Sequence, residues 1–210
     1  RLPEGSGGGT AALLRMLDEP STGHPSFAPP FLKAGRRLIG QTANILLFLG
    51  PRLGLTPHDE SGRLWVHQLQ LTIADLVAEI HDSHHPIAGS LYYEDQRDEA
   101  RRRSASLRRE RLPKFLGWFE RVLADDARGR QRSLVGSATS YADLSLFQII
   151  EGLRYAFPRT LRRLETSLPR TVELHDRIAA RSPIAAYLAS TRRIPFNNEG
   201  IFRHYPELDA

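Results

Sequence analysis

The sequence has 210 residues, no cysteine, and 29 Lys and Arg against 24 Asp and Glu, which gives a net charge of +5. This length suits one compact unit or two small domains, and the absence of cysteine excludes a disulfide framework and a thiolate-ligated metal site. The charge excess is too small to indicate nucleic-acid binding. No apolar run reaches the length of a membrane span and no secretory signal is present, so we expect the cytoplasm by default.

The first predicted element is a short helix over residues 11–19, with Thr10 as its cap. Residues 1–10 are rich in glycine, but they lack the Gly-Lys-Ser/Thr ending that a phosphate-binding loop requires. Residues 20–30 contain several Pro and Ser residues and are predicted to form a loop.

The most informative stretch follows, FAPPFLKAGRRLIGQTANILLFLG over residues 27–50. It predicts, in order, an extended piece over 27–32, a turn at Lys33-Ala34-Gly35, a strand over 36–39, and a helix that begins at Gly40-Gln41-Thr42. A helix start presents unpaired N–H groups and the positive end of the helix dipole, which suits a carboxylate or phosphate. Ordinary N-capping is the simpler explanation of a polar pair at this place, and the local residues leave both open.

The rest of the chain is predicted to be helical. Residues 51–61 form a linker and domain boundary, so the predicted domains are 1–50 and 61–210. A long helix with one apolar face begins at Asp59 or Ser61 and runs to about Asp82. A second long helix covers 92–123, and Pro113 either kinks it or divides it in two.

Two polar clusters in this region have a functional and a structural interpretation. His81, His84 and His85 could ligate a metal, but Pro86 indicates that the helix is ending, which favours a solvated helix end and no metal. The arginines within residues 92–111 could neutralise nucleic-acid phosphates. Acidic residues precede the basic ones there, which favours a solvated helical face instead.

The helix predicted after Ser140 is expected to be buried. Ser140 and Asp143 have the spacing of a capping box, and the residues that follow to Leu153 are apolar almost all round. Shorter helices are predicted over 159–168, 171–181 and from Ser182 onward. The tail 194–210 is irregular, and it either covers a substrate cleft or packs on the surface.

Pro30, Gly35, Gln41 and Thr42 together resemble the glutathione-binding half of the glutathione transferase family. In that family a cis-proline is followed by a Gly five residues later and by a Gln-Ser pair six residues after the Gly. This chain keeps both spacings, with Thr in place of Ser.

Two further motifs extend the resemblance from Thr10 to about Leu188. The family's central buried helix starts with Ser/Thr-x-x-Asp, as at Ser140. The sigma, pi and alpha types share an Ala-Asp-Leu segment, which here includes Asp75. The resemblance implies a chain of α+β class that is mostly α, with a partial thioredoxin-like N-terminal domain followed by an all-helical C-terminal domain.

The function implied by the resemblance is conjugation of the glutathione thiolate to small apolar electrophiles in detoxification, by a homodimer. Glutathione is then a substrate, and no metal, nucleic acid or membrane takes part. The alternative is a non-catalytic member of the same fold that binds glutathione or a partner protein.

The resemblance also implies the glutathione-binding residues. Gln41 and Thr42 would hold the γ-glutamyl carboxylate, and Asp75 would reach the γ-glutamyl amine from the neighbouring subunit. The backbone before the cis-proline, Pro30, would pair with the cysteinyl part of glutathione. Here that residue is Pro29, which has no N–H, so only its carbonyl remains for the pairing.

No catalytic residue can be named from this sequence. The family stabilises the thiolate with a Tyr or Ser hydroxyl near the end of its first strand, and all six tyrosines here lie too late in the chain to match. A strand–helix–strand unit precedes the present segment in the family, so we expect the sequence that begins at Arg1 to lack its start.

Overall fold

The computed structural model describes residues 9–18, 24–124 and 132–210. The chain divides into two compact units, Arg1–Gly54 and Leu55–Ala210. The first unit holds a two-stranded sheet and the second is helical, so the prediction of an α+β chain that is mostly α is confirmed. Among the described residues, no helix combines the length and the apolar character that a membrane crossing needs.

The first unit contains one hairpin between two helices. Its elements are α1 (Gly9–Asp18), β1 (Phe31–Ala34), β2 (Arg37–Gly40) and α2 (Thr42–Leu49). The strands are antiparallel with Ala34 opposite Arg37, so the turn is Gly35-Arg36 and lies one residue later than predicted. Gly35 has φ of +62° and Arg36 does not have a positive φ, which is the pattern of a type II′ hairpin turn.

The start of α1 differs from the prediction. Thr10 lies inside the helix rather than capping it, because the helix already begins at Gly9. Residues 1–8 and 19–23, which include most of the glycine-rich stretch and the predicted end of this helix, lie outside the described residues.

The second unit is built from helices that follow one another along the chain. They are α3 (Glu60–Asp82), α4 (Arg97–Ser106), α5 (Leu112–Ala124), α6 (Tyr141–Ala156), α7 (Pro158–Glu165), α8 (Pro169–Ala179) and α9 (Ser182–Leu188). The carboxylate of Asp59 accepts a 2.7 Å hydrogen bond from the N–H of Gly62, so Asp59 is the N-cap of α3. Of the two predicted starts, Asp59 is the correct one.

The chain stays helical from Arg97 to Ala124, with one wider turn in the middle. Leu107–Arg111 is a π turn that joins α4 to α5. Pro113 has no N–H, and its ring would collide with a carbonyl of the preceding α-helical turn. A π turn immediately before the proline gives those carbonyls more room, so the helix is neither divided nor ended by Pro113.

The core of the second unit is centred on α6, which packs against α3 and α8. Buried apolar side chains lie all round α6, as predicted: Leu146, Phe147, Ile149, Ile150 and Leu153. The capping box is also confirmed. The side chain of Ser140 accepts a hydrogen bond from the N–H of Asp143, and the side chain of Asp143 accepts one from the N–H of Ser140.

The helices after α6 begin earlier than predicted. Pro158 and Pro169, which were expected to precede α7 and α8, are instead the first residues of these helices. Proline suits the first helical position because its missing N–H would have no partner there and its fixed φ is helical.

The tail packs on helices of its own unit. The Asp209 carboxylate accepts hydrogen bonds from the N–H groups of Arg159 (2.7 Å) and Thr160 (3.1 Å) at the start of α7. The ring of Tyr205 stacks on that of Tyr93 with 3.7 Å between centroids. Of the two roles considered for residues 194–210, the structure shows packing against the surface of these helices.

Candidate functional site

The tip of α2 has an unusual backbone. Gln41, the N-cap residue, has φ of 68° and ψ of 125°. Among the described residues it is the only non-glycine residue with a positive φ. Such a conformation costs about 1–3 kcal/mol and persists only where the surroundings hold it, most often at functional sites.

The tip of α2 is also uncapped. The side chain of Gln41 makes no capping hydrogen bond, and the regular helix bonds begin with the N–H of Ile45 donating to the Gln41 carbonyl at 2.9 Å. The backbone N–H groups of residues 42–44 therefore keep their donor capacity. Gln41 and Thr42 are both exposed. Plain N-capping by Gln41, the simpler of the two interpretations, is not what the structure shows.

The hairpin brings the second pair of expected residues to the same end. Pro29 and Pro30 precede β1, both are exposed, and the peptide bond between them is cis, as the resemblance implies. Phe31, the next residue, lies directly opposite Gly40 in the register of the sheet. Gly40 immediately precedes the tip of α2, so the register places the diproline beside that tip within the first unit.

Asp75, the fifth expected residue, lies in the second unit on the exposed side of α3. Within the part of the chain that the structure describes, its carboxylate has no hydrogen-bond or ion-pair partner. Its expected role needs a second subunit. The four other expected residues all lie in the first unit.

A cavity in the second unit was not predicted. It has a volume of about 150 Å³ and lies between α3 and α5, lined by Thr72, Lys114, Phe115, Trp118 and Arg121. Its walls are largely apolar, with Phe115 and Trp118 as the two aromatic side chains. The recurrence of polar and aromatic residues at positions 114, 118 and 121, one turn apart on α5, was the only sequence signal for it.

The prediction of a solvated helix end for the histidine cluster was wrong at His84. α3 does end at Asp82, but His84 is only 2% exposed. One of its ring nitrogens, Nε2, lies 2.9 Å from the carbonyl of Ile201 in the tail. Pro86 signalled the end of the helix, but no local pattern showed that a residue more than a hundred positions later would cover it.

Burial determines the charge of this cluster. Desolvation lowers the pKa of His84 from 6.5 to about 4, and it also lowers the pKa of His85. His84 is therefore neutral at pH 7. Among the described residues, no group of three or more His, Cys, Asp or Glu side chains is arranged to hold a metal ion.

Several arginines of residues 92–111 form ion pairs within the chain. Arg111 makes a bidentate contact with the Glu79 carboxylate, with N–O distances of 2.6 and 2.9 Å. Arg101 contacts Asp98 at 2.9 Å, three residues earlier on the same helix. The Arg101–Asp98 contact is the kind of acidic–basic pair that the charge pattern predicts, whereas the Arg111–Glu79 contact joins this segment to α3 and was not predicted.

The profile of the glutathione S-transferase C-terminal domain matches residues 81–191. A search of curated proteins found no match. Many solved structures match, among them a pi-class glutathione S-transferase of Onchocerca volvulus, with 22% identity over 77% of this chain and 69% of that chain, and a TM-score of 0.60.

A second structure, the prostaglandin synthase D of Nilaparvata lugens, is 16% identical over 86% of this chain and 82% of that chain, with a TM-score of 0.65. At such identities the two structures show a shared fold. The family profile is independent of them, and it matches the helical unit that contains the buried capping-box helix.

Proposed function

The chain belongs to the glutathione S-transferase family, and we propose that it binds glutathione and transfers the glutathione thiolate to small electrophiles. The observation that supports this most strongly is the uncapped tip of α2, where an exposed Gln41 is held at positive φ beside an exposed diproline. A glutathione-binding domain over residues 1–50 and a helical substrate and dimerisation domain over 61–210 are part of the proposal.

The tip of α2 is suited to the γ-glutamyl carboxylate. The N–H groups of its first turn have no intrahelical acceptor, and the helix dipole places partial positive charge at the same point. The Gln41 amide and the Thr42 hydroxyl add two side-chain donors. Each hydrogen bond to a charged group is worth about 1.5–3 kcal/mol, so these donors together can account for recognition of one carboxylate.

The cysteinyl part of glutathione would lie along the backbone before β1. The carbonyl of Pro29 can accept one hydrogen bond from it, but Pro29 has no N–H to return a second. The missing bond weakens binding by about 0.5–1.5 kcal/mol relative to a residue that has both groups.

The chemistry is nucleophilic substitution by sulfur. A free thiol has a pKa of about 8.5, and only its thiolate attacks. The thiolate forms a bond to an electrophilic carbon, the leaving group departs with the bonding electrons, and the thiol proton passes to solvent. The proposal assigns no thiolate-stabilising residue.

We propose further that the protein works as a homodimer in the cytoplasm, in detoxification, and that Asp75 of the partner subunit binds the γ-glutamyl amine. A mixed dimer tests this arrangement. Gln41→Ala and Asp75→Ala subunits each lack one contact, but mixing them creates one site with both residues intact. Glutathione binding that recovers on mixing supports the exchange, and additive losses without recovery contradict it.

A non-catalytic glutathione-binding or protein-interaction member of the family is the second candidate. The absent N–H of Pro29 favours it, because the thiol end of glutathione is held less firmly.

Calorimetry with glutathione, together with conjugation of a chlorinated nitroaromatic by the full-length protein, separates the two candidates. Binding with turnover above the uncatalysed rate supports the transferase. Binding without turnover selects the non-catalytic member, and no binding contradicts both as glutathione-dependent proteins.

A further inference from the structure

The conformation of Gln41 raises the question of what holds it. We propose that Asn44 is a positioning residue, which acts through the carbonyl of Gly40 to keep Gln41 at positive φ. The role of this conformation in glutathione binding rests on the proposed function, whereas the conformational effect itself does not.

The hydrogen bond of Asn44 connects groups on the two sides of the N–Cα bond of Gln41, whose rotation is described by φ. Asn44 lies in the first turn of α2, and its side-chain amide donates to the Gly40 carbonyl at 3.3 Å. The φ angle of Gln41 is the rotation of the Gly40–Gln41 peptide plane relative to the rest of Gln41 and the helix that follows. Any rotation of Gln41 towards a negative φ therefore swings the Gly40 carbonyl away from Asn44 and breaks this bond.

Ser26 lies close to Gly40 on the side of the loop. A Cβ placed on Gly40 would lie 2.6 Å from the Oγ of Ser26, so a larger residue at this position would force the serine side chain to move. The Ser26 hydroxyl also donates to the Ala28 carbonyl at 3.1 Å, one residue before the diproline. The loop and the start of α2 therefore approach each other at Gly40, and Asn44 bonds the Gly40 carbonyl from the helix.

The Asn44 hydrogen bond sets the geometry of the proposed carboxylate site. Without it a glutamine would adopt a negative φ, where L-residues are free of steric cost. The Gln41 side chain and the first N–H groups of α2 would then no longer face the same direction as in the structure. The side chain of Asn44 donates to the Gly40 carbonyl rather than to the proposed ligand, so the effect of truncating it on binding would pass through Gln41.

Nuclear magnetic resonance tests the conformational effect without any ligand. A residue at positive φ gives a strong intraresidue NOE between its amide and Hα protons. We expect this signal at Gln41 in the wild type and its loss in Asn44→Ala, a substitution that keeps high helix propensity and so preserves α2. Asn44→Ser should retain the signal, because a serine hydroxyl can donate to the carbonyl four residues earlier.

Asn197→Ala is the matched control. Asn197 is an exposed asparagine of the second unit whose amide also donates to a nearby carbonyl, that of Pro195 at 3.4 Å. It should leave the Gln41 signal unchanged. A Gln41 NOE that persists at full strength in Asn44→Ala overturns the inference.

Steady-state kinetics gives the second readout. We expect Asn44→Ala to raise the KM for glutathione about fivefold with kcat unchanged, since one uncharged hydrogen bond is lost before the chemical step. Asn44→Ser should restore the wild-type KM. If the wild type does not bind glutathione, the proposed function fails while the NOE comparison still decides the role of Asn44. An Asn44→Ala KM equal to that of the wild type, in a protein that binds glutathione, contradicts the link between conformation and binding.

Discussion

Among the described residues, Gln41 is the one non-glycine residue with a positive φ. A glutamine at φ of 68° carries a steric cost that glycine would not. Its side chain is exposed and makes no capping bond, so nothing in the folded chain itself is gained from having a side chain there. The proposed carboxylate contact supplies the reason for retaining one.

Replacing Gln41 by Gly and by Ala separates the backbone cost from the side-chain contact. Both variants lose the amide, so both should bind glutathione more weakly. Gln41→Gly should increase the free energy of unfolding by about 1 kcal/mol, because the positive φ no longer carries a cost. Gln41→Ala keeps that cost. Urea denaturation measures the difference, and equal stability of the two variants would show that the backbone at this residue is not strained.

His84 predicts a pH dependence of stability. Its pKa is about 4 when folded and 6.5 when unfolded, so the unfolded chain binds more protons between these values. Stability is complete above pH 6.5 and falls as the pH approaches 4. Like burial, His85 and Arg203 lower the pKa of His84, whereas the contact with the Ile201 carbonyl raises this pKa.

The His84→Gln variant isolates this contribution, since glutamine can still donate to the Ile201 carbonyl but cannot be protonated. We expect the wild type to lose about 2 kcal/mol more than the variant between pH 7 and pH 4, allowing for partial solvent access. Denaturation curves at both pH values provide the measurement. Equal losses in the two proteins would assign the acid sensitivity to other groups.

Single residues were predictable where their signal is local. The Ser140–Asp143 box and the Asp59 cap depend on spacing within one helical turn, and both are present in the structure. The burial of His84 depends on a tail residue distant in sequence, which no local pattern encodes. The positive φ of Gln41 has no local signal either, because an L-residue such as glutamine ordinarily adopts a negative φ.

At the scale of elements, the start of α6 is held by one buried carboxylate. Asp143 accepts hydrogen bonds from the N–H of Leu134 (2.7 Å) and from the N–H and hydroxyl of Ser140 (both 2.6 Å). Burial raises the pKa of Asp143, while these donors lower it. The same side chain therefore fixes the first turn of α6 and the segment before it.

The Asp143→Ala variant should lose about 3 kcal/mol of folding free energy, because it removes the carboxylate that accepts three buried hydrogen bonds. Asp98→Ala, which removes an exposed aspartate from the first turn of α4, is the matched control and should cost well under half as much. Chemical denaturation checks both. Similar losses in the two variants would mean that the buried network adds nothing beyond ordinary capping.

The tail also contacts α6, through Phe202. The ring of Phe202 occupies the space where a side chain at Gly152 would lie. Gly152→Ala should therefore displace the tail and destabilise the protein by about 1–3 kcal/mol, the usual cost of overpacking. The double variant with Phe202→Ala should recover part of that loss, and a double-mutant cycle measures it. Additive losses would place the two residues out of contact.

The identities of the elements could be predicted better than their limits. Long amphipathic or fully apolar periods identify α3 and α6, whose packing requires those periods. The predicted starts of α7 and α8 were too late. Proline can occupy either the position before a helix or the first turn of the helix, so its presence does not decide between the two. The hairpin turn was shifted by one residue, since Gly35 could occupy more than one position of a turn.

At the scale of the whole molecule, the two units differ in how much of their role the sequence reveals. The proposed glutathione-site residues of the first unit lie within a segment of 14 residues, from Pro29 to Thr42, so their spacing alone is informative. The cavity of the second unit joins α3 to α5 across more than forty residues. Its lining became visible only when those helices were packed together.

We propose that the tip of α2 binds the γ-glutamyl carboxylate of glutathione. Calorimetric titration with glutathione and with its analogue 4-aminobutyryl-cysteinyl-glycine, which lacks only that carboxylate, tests it most directly. We expect the wild type to bind the analogue at least about tenfold more weakly, and Gln41→Ala to narrow the difference. Equal affinity of the wild type for the two peptides would contradict the account.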